Sequence, residues 1–216
     1  MKFFIDTANI AEIQEGISLG VIDGVTTNPT LLAKEKGDMS DILKSICALV
    51  NGPVNAEVNS LDAAGMIKEG HELAKIHENI VIKIPTTKDG VKATKQLESD
   101  GIRCNLTLVF SPGQALVAAK VGASFVCPFV GRLDDASHIG TELIENIAAI
   151  YSNYNFKTEI VVASIRNPIH VLDSALAGAD IATMPLKVIE MLIQHPMTDI
   201  GIQKFKQDWE KAQKSK

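Results

Sequence analysis

Eight times along this chain a short apolar run gives way to a segment of helical periodicity, and no longer stretch breaks the alternation. The runs are 2–6, 23–28, 53–60, the start of 79–90, 103–110, 124–130, 158–164 and 180–185. The first helical pattern opens at about Asn9 and carries Ile10, Ile13 and Ile17 on one stripe. The second carries Ile42, Leu43, Ile46 and Leu49, and the third is "LDAAGMIKEGHELAKIH". Others fall near 88–99 and 137–151, after "SPGQA", from Asn167-Pro168, and over "LKVIEMLIQH". Ser111 before Pro112 reads as an N-cap followed by the first helical position.

Eight strand–helix units of about 27 residues predict an α/β fold, a single-domain (β/α)8 TIM barrel spanning 1–216. The competing architecture is an open doubly wound sheet, but no GxGxxG follows any strand. A hydrophobic content of 46% suits one full core. A C-terminal helical extension, 199–216, follows the eighth helix, with Ile202, Phe205 and Trp209 on one face of an otherwise charged segment. It either closes the barrel's own outer wall or meets a neighbouring subunit.

Composition excludes several classes of partner. Net charge is −5 with both signs dispersed, and no basic run interleaves with aromatics, so nucleic acid is not expected. No apolar run approaches the roughly 20 residues of a membrane span, so no membrane is expected. "MKFFIDTANI" turns polar at Asp6 and does not resemble a signal peptide. Cys47, Cys104 and Cys127 are odd in number and far apart, which reads as reduced thiols in a cytoplasmic protein.

Lys83 is the anomaly. It stands inside "IVIKIP", in the fourth run. Lysine is depleted in strands, and burying an unpartnered charge is costly. Strand alternation puts Val81, Lys83 and Pro85 on one face and Ile82 and Ile84 on the other. The Ile face suits the layer against the helices, so Lys83 points into the barrel. The same count turns Asn55, Glu57 and Asn59 inward, and puts Asn105 and Thr107 on one face.

Barrel enzymes build their active sites at the carboxyl ends of the strands. Asp6, Thr26, Asn28, Glu57, Lys83, Thr107, Arg132, Ser164 and Arg166 all fall at or just beyond those ends. Lys83 and Glu57 could form a merely structural ion pair. Alternatively, a desolvated neutral amine is a nucleophile toward carbonyls and forms Schiff bases, which act as electron sinks for carbon–carbon cleavage. Asp6 and Glu57 are the acids available to move protons, although Asp6 could instead cap the first helix. In "ASIRNP", a hydroxyl, a guanidinium and a helix start suggest phosphate binding. Arg132 adds a second guanidinium unless Asp134 or Asp135 claims it. Cys127 reads as a packed thiol. The five histidines have no ligand spacing, so no metal is expected.

As a set, "FIDTAN", "GVTTNPTLL", "AEV", "VIKIPTT", "NLTLVF", "CPFVGRLDD", "ASIRNP" and "TMPLKV" resemble the small transaldolases, a group that includes fructose-6-phosphate aldolase. The resemblance runs from about residue 2 to Trp209. It implies a class I aldolase on a (β/α)8 barrel, with sugar phosphate substrates and no cofactor. Lys83 would be the Schiff-base lysine and Asp6 the acid/base at the C4 hydroxyl. Glu57 and Thr107 would hold a proton-shuttling water. Asn28 and Asn105 would bind the dihydroxyacetone portion, and Arg132, Ser164 and Arg166 the phosphate.

Within that group, Glu57 and Phe129 match the transaldolase pattern, where fructose-6-phosphate aldolases have Gln and Tyr. A Tyr hydroxyl could protonate the enamine and release free dihydroxyacetone, and Phe129 cannot. Most relatives have Ser in place of Cys127, where the hydroxyl bonds substrate. The resemblance further implies a homo-oligomer, a pentamer or a decamer of stacked rings, with the C-terminal helix crossing to a neighbour. Free-dihydroxyacetone release, a non-catalytic sugar-phosphate-binding barrel and a pyridoxal phosphate lysine are the alternatives.

Overall fold

The computed structural model describes residues 1–214. Its centre is a closed barrel of eight parallel strands in sequence order, with the last pairing the first. The strands are β1 (Lys2–Asp6), β2 (Gly24–Thr26), β3 (Val54–Glu57), β4 (Ile80–Pro85), β5 (Cys104–Val109), β6 (Phe125–Pro128), β7 (Glu159–Val162) and β8 (Ile181–Met184). Outside them lie α1 (Ile10–Ser18), α2 (Pro29–Leu32), α3 (Met39–Leu49), α4 (Ala63–Ala74), α5 (Lys88–Ser99) and α6 (Pro112–Val121). The series ends with α7 (Val130–Asp135), α8 (Gly140–Tyr154), α9 (Pro168–Ala177), α10 (Leu186–Ile193) and α11 (Pro196–Lys214).

Local chemistry explains many of the boundaries. The side chains of Asn9, Asp62, Thr87, Ser111 and Asn167 each accept a backbone N–H of the helix they start. Asn9 therefore caps α1, which leaves the Asp6 carboxylate to the barrel. At Gly122 and Gly178 the chain turns left-handed and ends α6 and α9. Two short helices, α2 and α7, were not legible as periodic segments because one or two turns cannot establish a period.

Strand alternation divides the core in two. Ile80, Ile82 and Ile84 join the layer between strands and helices. Val81 joins Phe4, Phe125, Val161 and Ile181 inside the barrel. A fully buried aliphatic side chain contributes about 1.5–3 kcal/mol. A one-residue slip of β4 would send its isoleucines into the lumen and Lys83 into the helix layer. Hydrophobic burial thus fixes the direction of the amine.

Two expectations need correction. Asn59 does not face the lumen. β3 ends at Glu57, and the Asn59 backbone and side-chain amides both donate to Glu69 on the outer wall. Of the two readings of the C-terminal extension, closure of its own barrel's wall is not met, and its start is corrected. It begins at Pro196, before the expected 199, and none of the residues of α11 is buried. Ile202, Phe205 and Trp209 are all exposed, Phe205 by 75%. Positions 215 and 216 of that extension lie outside the described residues. No helix among the described residues is long and apolar enough to cross a membrane.

Candidate active site

The carboxyl ends of the strands surround a polar cavity, with Lys83 in its floor. The residue is only 4% exposed. Its Nζ lies 3.2 Å from Glu57 Oε2. It also donates to the Thr27 carbonyl at 3.2 Å. Glu57, Lys83 and Asn105 are direct neighbours across β3, β4 and β5. The ammonium form therefore has two acceptors, and Glu57 supplies a carboxylate at the amine itself.

Asp6 occupies the neighbouring pair of strands. Its Oδ1 accepts from the Thr26 hydroxyl at 2.7 Å. Thr26 in turn lies in hydrogen-bond contact with Thr183 of β8. With the only hydroxyl hydrogen of Thr26 committed to an ionised Asp6, Thr183 must be the donor to Thr26. Burial pushes the Asp6 carboxyl above its ordinary range, against the opposing pull of the Lys83 charge and the Thr26 hydrogen bond. A carboxyl so placed holds a proton more readily than a solvated aspartate does.

The remaining floor is built by β5 and β6. Asn105 donates from Nδ2 to Asn55 Oδ1 at 2.8 Å. The Asn105 Oδ1 and Thr107 Oγ1 atoms are buried without a hydrogen-bond partner. Two unmet polar atoms in a buried wall mark a place for a polar guest. β5 also shifts register against β6 here, and Leu108 takes a positive φ of 57°. Such a bulge re-aims side chains beside a site. Cys127 is fully buried. Its thiol is pushed up to about 11, mainly by burial, while the Lys83 charge and the adjacent Thr107 hydroxyl oppose that rise.

The rim is more open. Asn28 accepts from Leu31 N–H through Oδ1 and caps α2. Asn28 also lines the cavity. The Arg132 guanidinium sits 4.9 Å from the Phe129 ring centroid. Neither Asp134 nor Asp135 pairs with it. Asp135 instead holds Arg166 at 2.7 Å, and Asp134 holds His170 at 2.8 Å. Ser164 adopts a positive φ of 59°, uncommon for a residue with a Cβ. The Gly131 N–H donates to the Ser164 carbonyl. A Cβ on Gly131 would come within 2.2 Å of that oxygen, so only glycine permits the approach.

Nine of the twelve residues singled out from sequence line this one cavity: Asp6, Thr26, Asn28, Lys83, Cys127, Phe129, Arg132, Ser164 and Arg166. Glu57 reaches it through Lys83, while Asn105 and Thr107 stand behind its wall. Thr183 also lines the cavity and was missed. Its signal is strand parity, since Thr183 alternates with Ala182 and Met184, although a lone hydroxyl in a short apolar strand carries no chemistry by itself. His170 carries no sequence signal, because its Asp134 partner is distant along the chain and meets it only in the fold. Among the described residues no cluster of three His, Cys, Asp or Glu side chains could hold a metal.

Comparison with known proteins places these features in a group. The sequence matches the family described as transaldolase/fructose-6-phosphate aldolase over residues 3–216. A probable transaldolase of Thermodesulfovibrio yellowstonii is 61% identical over 214 residues, covering 99% of this chain and all of its own. One from Desulfosudis oleivorans is 62% identical over 214 residues with the same coverage. One from Aquifex aeolicus is 60% identical over 212 residues, 98% of each chain.

Proposed function

The chain belongs to the transaldolase/fructose-6-phosphate aldolase family, and from that premise we propose that it is a transaldolase of the pentose phosphate pathway. It takes a dihydroxyacetone unit from fructose 6-phosphate, or from sedoheptulose 7-phosphate in reverse. It delivers that unit to an aldose phosphate such as erythrose 4-phosphate. The observation that carries this reading is a lumenal lysine, 4% exposed, in one cavity with a partly buried aspartate and two rim guanidiniums.

The neutral Lys83 amine attacks the C2 ketone, and loss of water gives the Schiff base. Glu57 accepts and returns protons at the amine through a water seated near Thr107. Asp6 removes the C4 hydroxyl proton, the C3–C4 bond breaks, and the iminium takes the electron pair as an enamine. Glyceraldehyde 3-phosphate leaves. The enamine then attacks the acceptor aldehyde, Asp6 returns a proton to the new hydroxyl, and water hydrolyses the product from Lys83.

Asn28 and Asn105 bind the dihydroxyacetone hydroxyls. Arg132, Arg166 and the Ser164 hydroxyl bind the phosphate. Thr26 acts on substrate through Asp6, because its hydroxyl hydrogen is committed there. Phe129 supports transfer over release: no hydroxyl at that position can protonate the enamine, so it waits for an acceptor.

The exposed apolar face of α11 favours a homo-oligomer, a pentamer or stacked decamer, in which Phe205 and Trp209 pack on a neighbour. Three buried thiols without a bridge suit the cytoplasm. Incubation with fructose 6-phosphate and borohydride, followed by peptide mass spectrometry, tests the mechanism. A reduced three-carbon adduct on Lys83 is expected. An adduct on another lysine, or none on folded protein, would reject it.

A further inference from the structure

The cavity's anion rim rests on a contact that the catalytic reading leaves unused. His170 belongs to the first turn of α9, and its side chain is 12% exposed. Its Nδ1 accepts the Arg166 backbone N–H at 3.3 Å. Its Nε2 lies 2.8 Å from Asp134 Oδ2. An Nδ1 that accepts carries no hydrogen, so the Nε2–H is the one that donates to Asp134. Asp134 is itself fixed, since its Oδ1 accepts the Gly140 N–H at 2.8 Å. The chain therefore runs from the start of α8, through α7, to the loop that ends β7.

That loop needs an external support. Ser164 is held at a positive φ, and strain of this kind persists only when the surroundings over-determine it. Asn167 caps α9 by accepting the His170 N–H, so the same residue is tied at its backbone and at both ring nitrogens. Arg132 rides on α7, which carries Asp134, while Arg166 rides on the loop that His170 grips. The Asp134–His170 pair is a side-chain strut between the two guanidinium-bearing segments, added to the backbone bonds from Val130 N–H to Ala163 and from Gly131 N–H to Ser164. The exposed Arg166–Asp135 pair crosses the same gap but is worth little as a solvated pair.

We infer that His170 is a positioning residue for the phosphate subsite, and that through Arg166 and Ser164 it sets the preference for phosphorylated over unphosphorylated sugars. This rests on the transaldolase reading above. A guanidinium shifted by one ångström still attracts an anion but no longer meets its oxygens in hydrogen-bond geometry. Loss of the strut therefore weakens binding of the phosphate and leaves the Lys83 chemistry intact.

The test compares His170→Leu and His170→Asn in the full chain. The Asn side chain can still offer an acceptor near the Nδ1 position, whereas Leu offers none. For His170→Leu the KM for fructose 6-phosphate should rise about tenfold with kcat within about threefold of the parent. Turnover of fructose lacking the phosphate should be unchanged, and His170→Asn should recover most of the KM.

Inorganic phosphate binding, followed by calorimetry, reads the subsite without turnover and should weaken in parallel. That arm separates the two ideas. If the parent binds phosphate but transfers no dihydroxyacetone, the transaldolase reading falls while the strut is still scored by phosphate affinity. Equal losses on both sugars, a fall confined to kcat, or unchanged phosphate affinity in His170→Leu would each overturn the inference.

Discussion

The floor and the rim of the cavity are built by different means. Floor residues sit on strands and are almost sealed: Lys83 is 4% exposed, Thr26 1% and Asn105 0%. Each is aimed by alternation on a strand whose other face is packed under helices. Arg132 and Arg166 sit on a six-residue helix and a loop, in the open, and are held by an aromatic ring and by one aspartate respectively. A covalent step needs atoms placed to fractions of an ångström, which a barrel wall provides. Anion attraction is long-ranged and tolerates looser parts. Floor substitutions should therefore destroy kcat, and rim substitutions should chiefly raise KM.

The largest effect belongs to Lys83→Met, which removes the proposed nucleophile. Turnover should fall by a factor of about 10⁴ or more, with the fold retained. Loss of the buried amine leaves Glu57 unpaired at the floor, so the thermal midpoint should also drop. Near-parental activity would break the division at its strongest point.

Asp6→Asn comes next. A general acid/base contributes about 10²–10⁴ in rate, and kcat should fall by that order with KM nearly kept. The parent's pH profile carries the same assignment. The base must be ionised, so kcat should decline as pH falls through the raised Asp6 value, above the ordinary 3.8. Stability moves the opposite way. A carboxyl whose folded value is raised stabilises the fold fully below its unfolded value and loses that contribution as pH rises through the folded one. At neutral pH the ionised Asp6 costs stability, and Asp6→Asn should melt at a higher temperature than the parent. A lower melting temperature at neutral pH would show that the carboxylate is held for structure.

Thr183→Val probes the relay behind that carboxyl. Removing one neutral hydrogen bond of about 1 kcal/mol should cost about three- to tenfold in kcat. The acid limb should move to higher pH, because the Thr26 hydroxyl then supports the carboxylate less well. Thr183→Ser should restore both. An unmoved acid limb would reduce Thr183 to packing.

The same contrast explains what the sequence made legible. The floor was readable because parity in a strand is rigid: once Ile82 faces the helices, Lys83 must face the lumen. Asn59 was misread for the complementary reason. Parity holds only as far as the strand, which ends at Glu57, and two residues later Glu69 draws the Asn59 amides outward. The rim was readable as composition but not as pairing. Asp134 and Asp135 sit near Arg132 in sequence, yet they pair across space with His170 and Arg166. The run 199–216 displayed its apolar stripe plainly, but no local rule says whether such a stripe meets its own barrel. Non-local partners are what a period cannot encode.

The smallest effect is expected at Cys127, where floor and rim meet. The thiol lines the cavity, is pushed up to about 11, and is therefore neutral across the working range. A thiol is a weak donor, and the neighbouring Thr107 Oγ1 lacks a partner within hydrogen-bond geometry. Cys127→Ser changes volume little and gives that pair a true hydroxyl. It should also give the bound sugar a stronger donor, so KM for fructose 6-phosphate should fall about two- to fivefold, the size of one net neutral hydrogen bond. Because Cys127 lies on the floor side of the proposed phosphate subsite, the KM for unphosphorylated fructose should fall by the same factor, unlike the selective effect expected at His170. A gain confined to the phosphorylated sugar would move Cys127 to the rim's side of the division. A loss on both sugars would mean that the apolar packing of the thiol outweighs the hydrogen bond it cannot make.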